Sequence, residues 1–288
     1  MSILTVIQDA MVELGLTSPT TVFTNTDATV TQFLKLLQHD QRTLADLYPW
    51  PEQNKEYSFT LATSTASYAL PADINFQLFQ TYWDRTRHWR LVGPLSADEW
   101  QAWKSGVTAP AAYRMFRIKS MTDAQFFVTP TPTSSDNGAT MIFEYQTATC
   151  FKPKTWVTAT VFAANSYSFY NGNIYKTTAG GTTGATPPTH TSGSVSDGTV
   201  TWTYQTAAYE TVTADTDSCV LSEHLAKMGI KWRWRQHNSL EFQSFYSEWN
   251  NEFERLKTAL LSAKELSMGR QPFYQFIGSW SVPDSGYG

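Results

Sequence analysis

Charge is scarce in this chain: Asp, Glu, Lys and Arg make up 16% of its 288 residues, against about 25% in ordinary soluble domains. The charge that is present sums to −4. A protein that wraps duplex DNA neutralises phosphates with a strong basic excess, so wrapping is excluded for the chain as a whole. Cysteine is rarer still. Cys150 and Cys219 stand alone, without a CxxC pair, which predicts two reduced thiols rather than a disulfide. No apolar run reaches the roughly 18 residues of a membrane span. The N-terminal stretch lacks the basic start, apolar core and small-residue cleavage site of a secretory signal. Neither a membrane partner nor export by that route is expected.

The familiar catalytic strings are missing too. There is no Gly-rich phosphate loop, no G-x-S-x-G elbow and no H-E-x-x-H pair. His39, His88, His190, His224 and His237 are scattered, none at metal-ligand spacing from another His or Cys. The expectation is no cofactor, no metal and no enzymatic activity. Aromatic residues are what the chain has in excess, with 11 Trp, 14 Tyr and 17 Phe, or 15%. Together with 41% hydrophobic residues, that rules out a disordered, charge-rich polymer.

Periodicity divides the chain into five segments. In residues 1–51, Ile3, Val6, Ile7, Ala10, Met11 and Leu14 recur at helical spacing, after Ser2 as cap and before Gly15. A second helix is expected from Asp27 to Leu47, with the stripe Val30, Phe33, Leu34, Leu37, Leu44 and Leu47, stopped by Tyr48-Pro49-Trp50-Pro51. Residues 52–151 alternate as antiparallel strands, among them Phe76–Trp83 and Trp89–Val92, with one short helix opened by the capping box Ser96-Ala97-Asp98-Glu99. Residues 152–207 hold 14 Thr and 6 Gly but no Leu, Arg or Glu. With turns at Asn171-Gly172 and Asp197-Gly198, this reads as a small autonomous β-module inserted into its host, dispensable for the rest. Helices return in 208–263, where Asp215-Thr216-Asp217 is expected to cap a helix reaching Gln236 and Glu223 to pair with Lys227. Residues 264–288 form an extended tail. The fold class is α+β: N- and C-terminal helices in one bundle, an antiparallel β lobe between them, and the inserted all-β module.

Four constellations are candidates for function. Lys227, Lys231 and Arg235 form one basic face of the penultimate helix, read as a solvated or subunit-contacting surface in preference to a nucleic-acid contact. Tyr170, Tyr175 and Trp202 are candidates for a glycan-stacking face on the insertion, although a module of this size needs most of its aromatics for its own core. Asp215 and Asp217 are a carboxylate pair of the kind glycan hydrolases use, with helix capping the simpler reading. Phe273, Tyr274, Phe276, Ile277 and Trp280 crowd a tail that Gly269, Pro272, Gly278 and Pro283 keep from being helical. That tail is either a strap over its own bundle or an arm that orders on a partner.

A series of short strings runs in order along the chain. Glu13-Leu14-Gly15-Leu16 with Pro19 comes first, then Tyr48-Pro49-Trp50, Leu70-Pro71-Ala72-Asp73 and Trp83-Asp84-Arg85. Gly93-Pro94-Leu95-Ser96 with Glu99-Trp100, Tyr113-Arg114, Pro130 and Pro132, Phe143-Glu144-Tyr145, Asp215-Thr216-Asp217 and Trp232-Arg233 follow. In this series the chain resembles the head-to-tail adaptor (connector) proteins of short-tailed phages, most closely the SU10 type, over about residues 1–150 and 208–262. The resemblance implies a structural virion protein at the head–tail junction, assembled in the host cytoplasm. It implies a homo-oligomeric ring, usually of twelve copies, that binds the portal protein and a tail nozzle or tail tube protein. Phage DNA would pass through that ring at ejection without sequence-specific binding, and the tail at 264–288 would dock on the portal or on a neighbouring subunit. The insertion lies outside the resemblance and is instead similar to small β-modules of phage tail and baseplate proteins. It motivates the alternative of a carbohydrate-binding or receptor-recognising tail component, with a glycan hydrolase as a second alternative.

Overall fold

In the computed structural model, residues 1–106, 114–119 and 125–260 are described. Five helices are present among them: α1 (Ile3–Glu13), α2 (Ala28–Leu47), α3 (Ala97–Lys104), α4 (Glu223–His237) and α5 (Gln243–Leu260). Short antiparallel strands in several sheets fill the intervening chain. The α+β class with helices at both ends is therefore the observed one. The chain divides into two compact units, the first from Met1–Lys55, Pro71–Leu78 and Glu144–Lys257, the second built on Glu56–Leu70 and Phe79–Phe143.

In the first unit the apolar stripes predicted for α1 and α2 are buried, except Leu14, which is half-buried, and Leu47, which is 55% exposed at the end of α2. Ile3, Val6, Ile7, Ala10 and Met11 share a core with Val30, Phe33, Leu34 and Leu37, and Ala226 and Ile230 of α4 close it. Each large side chain so buried contributes about 1.5–3 kcal/mol relative to exposure. The Ser2 hydroxyl accepts from the Thr5 amide (3.3 Å), and the Asp27 carboxylate accepts from the amides of Thr29 (2.7 Å) and Val30 (3.2 Å), satisfying donors that a helix start leaves free. The last helix, α5, joins through rings: Trp232 lies 5.9 Å from Trp249, Trp249 lies 5.7 Å from Phe253, and Phe253 lies 5.9 Å from Trp50.

One expectation is corrected here. Asp215 and Asp217 do not cap α4; that helix begins at Glu223, and the Ser222 hydroxyl, accepting from the Leu225 amide at 3.3 Å, is its cap. The physical reason is competition, because both aspartates find backbone donors elsewhere. The Asp215 carboxylate accepts from the amides of Val22 (3.0 Å) and Phe23 (2.7 Å), and the Asp217 carboxylate from those of Thr213 (2.8 Å) and Ala214 (3.1 Å). Their carbonyls accept from Leu4 (3.3 Å) and Ile3 (2.6 Å) at the start of α1.

The segment 152–207 builds a four-stranded antiparallel sheet in the order Tyr167–Tyr170, Asn173–Thr177, Val200–Tyr204, Ser194–Asp197. Its own small core is Phe162, Tyr175, Val200 and Trp202. The other face does not stand apart. Ile174 is buried in the helical core, with Tyr167 and Phe169 packed against it. The segment packs against its host as well as on itself, because alternate residues of a strand face opposite sides and this sheet has apolar residues on both. At its base, Phe151–Lys152 pairs antiparallel with Ser218–Cys219, so the chain leaves beside the point where it arrived.

In the second unit, Ser67–Ala69, Gln125–Thr129 and Met115–Lys119 form a three-stranded antiparallel sheet. Aromatic rings fill its core: Tyr82 to Phe116 at 4.1 Å, Phe116 to Phe126 at 4.8 Å, and Phe59 to Phe126 at 5.3 Å. The predicted capping box of α3 is present, Ser96 accepting from the Glu99 amide and the Glu99 carboxylate from the Ser96 amide. Gly93 is required where it stands, since at φ +150° an added Cβ would lie 2.5 Å from the Phe116 carbonyl oxygen. The single strand expected over Phe76–Trp83 is broken into Ile74–Gln77 and Trp83–Asp84, with Gln80 at φ +74° between them. Its two pieces pair with different halves of Thr140–Thr147.

Candidate functional site

The basic face of α4 is spent inside its own unit. Lys227 meets Asp9 at 2.9 Å, and Lys231 pairs with Glu13. Asp9 and Glu13 are one turn apart on α1, as the two lysines are on α4, so the helices run parallel with matched charge rows. Arg235 donates to the Glu241 carbonyl and lies 4.6 Å from the Phe245 ring centre. Glu223, expected to pair with Lys227, meets the Met1 amino group instead. With both lysine side chains under a fifth exposed and neutralised, this row joins α1 to α4 and offers no free cationic docking surface.

Two of the three residues assigned to a glycan-stacking face are core. Tyr175 and Trp202 are each 0% exposed, and a ring without accessible surface has no face to give a sugar. Tyr170 is half-buried, with its ring 5.8 Å from that of Trp156. Asp197 explains this packing. Its carboxylate accepts from the indoles of Trp156 (2.8 Å) and Trp202 (3.3 Å) and from the Gly184 amide (2.7 Å), tying three parts of the segment to one buried group.

The carboxylate pair is engaged in holding the fold. Asp217 is 1% exposed and accepts from the Tyr209 hydroxyl (2.9 Å) and the amides of Thr213 (2.8 Å) and Ala214 (3.1 Å). Burial raises its carboxyl above the ordinary range despite those donors. Asp215 holds the two amides of Val22 and Phe23. Both carboxylates are occupied by backbone. Among the described residues no group of three or more His, Cys, Asp or Glu is placed to hold a metal ion, and no helix is long and apolar enough to cross a membrane. The tail candidates Phe273, Tyr274, Phe276, Ile277 and Trp280 lie outside the described residues.

Cys150 and Cys219 are both buried and free. Cys219 stands directly opposite Phe151 in its strand pair, and both thiols lie in the helical core without a disulfide between them. Burial pushes the Cys150 thiol up to about 12 and raises that of Cys219 further, which makes both poor nucleophiles.

Three buried polar centres went unread in the sequence. Asp73 accepts from Tyr145 (2.7 Å), Lys55 (2.9 Å) and Thr147 (3.0 Å), which accounts for the Leu70-Pro71-Ala72-Asp73 string. Asp136 in the second unit takes Arg87 (2.6 Å) and Arg114 (2.8 Å); burial opposes its charge, but the Thr133 amide and hydroxyl and both guanidiniums hold the carboxyl well below the usual range. Asp40, 0% exposed on α2, meets the Arg233 guanidinium at 2.9 Å. Gly229 on α4 makes room for it, because a Cβ there would lie 2.2 Å from Asp40 Oδ2. A signal for Asp40 was present: the apolar stripe of α2 skips from Leu37 to Leu44, and positions 40 and 41 are where the missing core residue belongs.

The sequence profile of the SU10 adaptor protein family matches residues 1–167, more than half of the chain. The match runs into the Thr-rich segment and stops before α4 and α5. No curated protein matches the chain.

Proposed function

The chain belongs to the SU10 adaptor protein family, and from that membership we propose that it is the phage head-to-tail adaptor, a structural virion protein that joins the portal protein to the tail nozzle or tail tube. It acts by assembly, not by chemistry. The observation that carries this reading is the family match over residues 1–167. The occupied state of Asp215 and Asp217 supports it, since the one carboxylate pair offered for hydrolysis is engaged in holding the backbone. In this reading the subunits form a closed homo-oligomeric ring of about twelve copies, at the head–tail junction and around the path of the ejected DNA. The net charge of −4 suits a channel that must not retain phosphate.

The tail at 264–288 serves as a docking arm on the portal or a neighbouring subunit, with Phe273, Tyr274, Phe276, Ile277 and Trp280 as anchors for partner pockets. Particle mass of the purified full chain, alone and mixed with portal, tests the reading. A ring of about a dozen subunits that binds portal supports it; a stable monomer or trimer that ignores portal rejects it. A chain ending at Ala263 that still forms the ring and binds portal fully would reject the arm alone. Imaging of the intact virion places the protein at the head vertex if the reading holds, or at the tail tip if a receptor-recognising role does.

A further inference from the structure

Strand edges in the second unit are blunted, with one exception among the described residues. Trp89–Arg90 is the last strand of one sheet, and Val92 just beyond it bonds to the edge of the other. The Val92 amide donates to the Arg114 carbonyl and its carbonyl accepts from the Phe116 amide, both at 3.0 Å. Ser67–Ala69 spans only three residues, and its Ala69 carbonyl accepts from the Tyr57 hydroxyl at 3.2 Å. The exception is Asn54–Thr60, which pairs with Thr140–Thr147 on one side and ends its sheet on the other.

Which backbone groups are open follows from the residue after this strand. The Leu61 amide donates to the Ala139 carbonyl (2.8 Å), and the Leu61 carbonyl accepts from the Gly138 amide (2.9 Å). Burial alternates without a break from Leu61 back to Lys55. The N–H and C=O groups of Phe59 and Tyr57 therefore face Thr140–Thr147 as those of Leu61 face 138–139, and the groups of Glu56, Ser58 and Thr60 face away. No turn, loop or side chain among the described residues bonds to these three amides and carbonyls. Residues 56–60 contain neither proline nor lysine, the common guards of an open edge, and the one charge, Glu56, is taken by Arg85 at 2.8 Å. Rings line the inner side of the same edge. Tyr57, Phe59 and Tyr68 are all half-buried, with Phe59 at 4.8 Å from Tyr68 and 6.1 Å from Tyr57. Open amides beside partly wetted rings are what an added strand covers.

We propose that residues 273–277 of a neighbouring copy add to this edge as a strand. Phe273-Tyr274-Gln275-Phe276-Ile277 is rich in strand formers and bounded by Pro272 and Gly278. It is as long as the open stretch 56–60. The helix α5 ends at Leu260, and residues 261–272 give the segment a reach of up to roughly 40 Å. Matched midpoint to midpoint, Gln275 stands opposite Ser58 whichever way the strand runs. Tyr274 and Phe276 then fall on the inner side with Tyr57 and Phe59, while a slip of one residue would set Gln275 among the rings. Each chain has one such segment to give and one such edge to receive. Given head to tail, the exchange joins copies into a ring with no edge left over; given to its own chain, it joins nothing. The inference rests on the reading of the chain as a ring subunit with a docking tail, and it names where that tail docks.

The test uses the full chain carrying Ser58→Cys or Gln275→Cys, the native thiols being buried. Directly opposed strand residues lie about 5.5 Å apart at Cα, within disulfide reach. Mild oxidation of the two single variants mixed together is expected to link unlike chains, with each variant alone unlinked and the double variant forming a ladder. Gln275→Pro supplies a second reading, because it removes the amide that faces Ser58 and alters nothing in residues 1–260. It should speed amide exchange of Glu56, Ser58 and Thr60 at least tenfold and leave that of Tyr57 and Phe59 unchanged. Should Ser58→Cys fail to fold, this comparison of the native chain with a tail variant decides alone. A ring by particle mass that shows neither the links nor the alternating protection overturns the strand and leaves the adaptor reading standing. Links within single chains only, or Ser58→Cys linked to itself, overturn the neighbouring tail as occupant. A monomer whose unlike variants do not link overturns both readings.

Discussion

Replacing Asp40 by asparagine should make the helical unit more stable than the native chain above neutral pH and leave it nearly unchanged near pH 4. Asp40 is fully buried between α2 and α4. Its Oδ1 takes the Arg233 Nε at 2.9 Å, and its Oδ2 has no partner among the described residues. Burial raises the carboxyl from 3.8 to about 7, against the opposing charge and hydrogen bond of Arg233. The folded state therefore keeps a proton between pH 4 and 7 that the unfolded state has released. Stability from this group is complete below the unfolded pKa and is lost as pH rises through the folded one. Three pH units at 1.36 kcal/mol each make the loss about 4 kcal/mol. Asparagine, with the same shape and no proton to lose, removes the slope. Urea unfolding followed by far-ultraviolet circular dichroism between pH 4 and 8 reads the difference between the two chains. If Arg233 outweighed burial, the carboxyl would be depressed instead, and the native chain would gain on the variant as pH rises. A difference that is flat or of that opposite sign refutes the reasoning.

Asp197→Ala should loosen the inserted sheet, because the buried Trp202 indole, the half-buried Trp156 indole and the Gly184 amide lose their common acceptor at about 1–3 kcal/mol for each buried group left unpaired; faster amide exchange over 167–204 is the readout, and unchanged protection would contradict it. Gly93→Ala should destabilise the second unit by roughly 2 kcal/mol or more, from a disallowed φ and a clash with the Phe116 carbonyl, seen as increased exchange over Met115–Lys119 with the helices unaffected. Cys150 and Cys219 should react with a thiol reagent only on unfolding and should form no disulfide under mild oxidation, by mass spectrometry of the native chain.

How far the sequence could be read follows the range of the interactions involved. The stripes of α1 and α2, the caps Ser2 and Asp27, and the Ser96–Glu99 box all came out where periodicity and capping chemistry placed them, because each is fixed by residues within a turn or two. Gly93 could be flagged as part of a string, but its reason, the Phe116 carbonyl 23 positions away, is visible only in the fold. The lysines of α4 were assigned to a surface because their own helix holds no better partner. That α1 brings Asp9 and Glu13 against them is a matter of packing between segments more than 200 residues apart. The same holds for Asp215, whose local context reads as a helix cap while the distant amides of Val22 and Phe23 take its carboxylate.

The sequence by itself determined the class of this protein: its helices at both ends, the β-rich stretch between them, the odd composition of 152–207, and the ordered strings that place it in its family. Those are properties of short windows, where hydrophobic period and turn chemistry act directly on the backbone. Only the tertiary structure decided which polar groups face one another: Asp40 with Arg233 across Gly229, Asp197 between two indoles, and Asp136 between Arg87 and Arg114. A charge or a buried oxygen is valued by whatever lies within a few ångströms of it, and in this chain those neighbours come from far along the sequence.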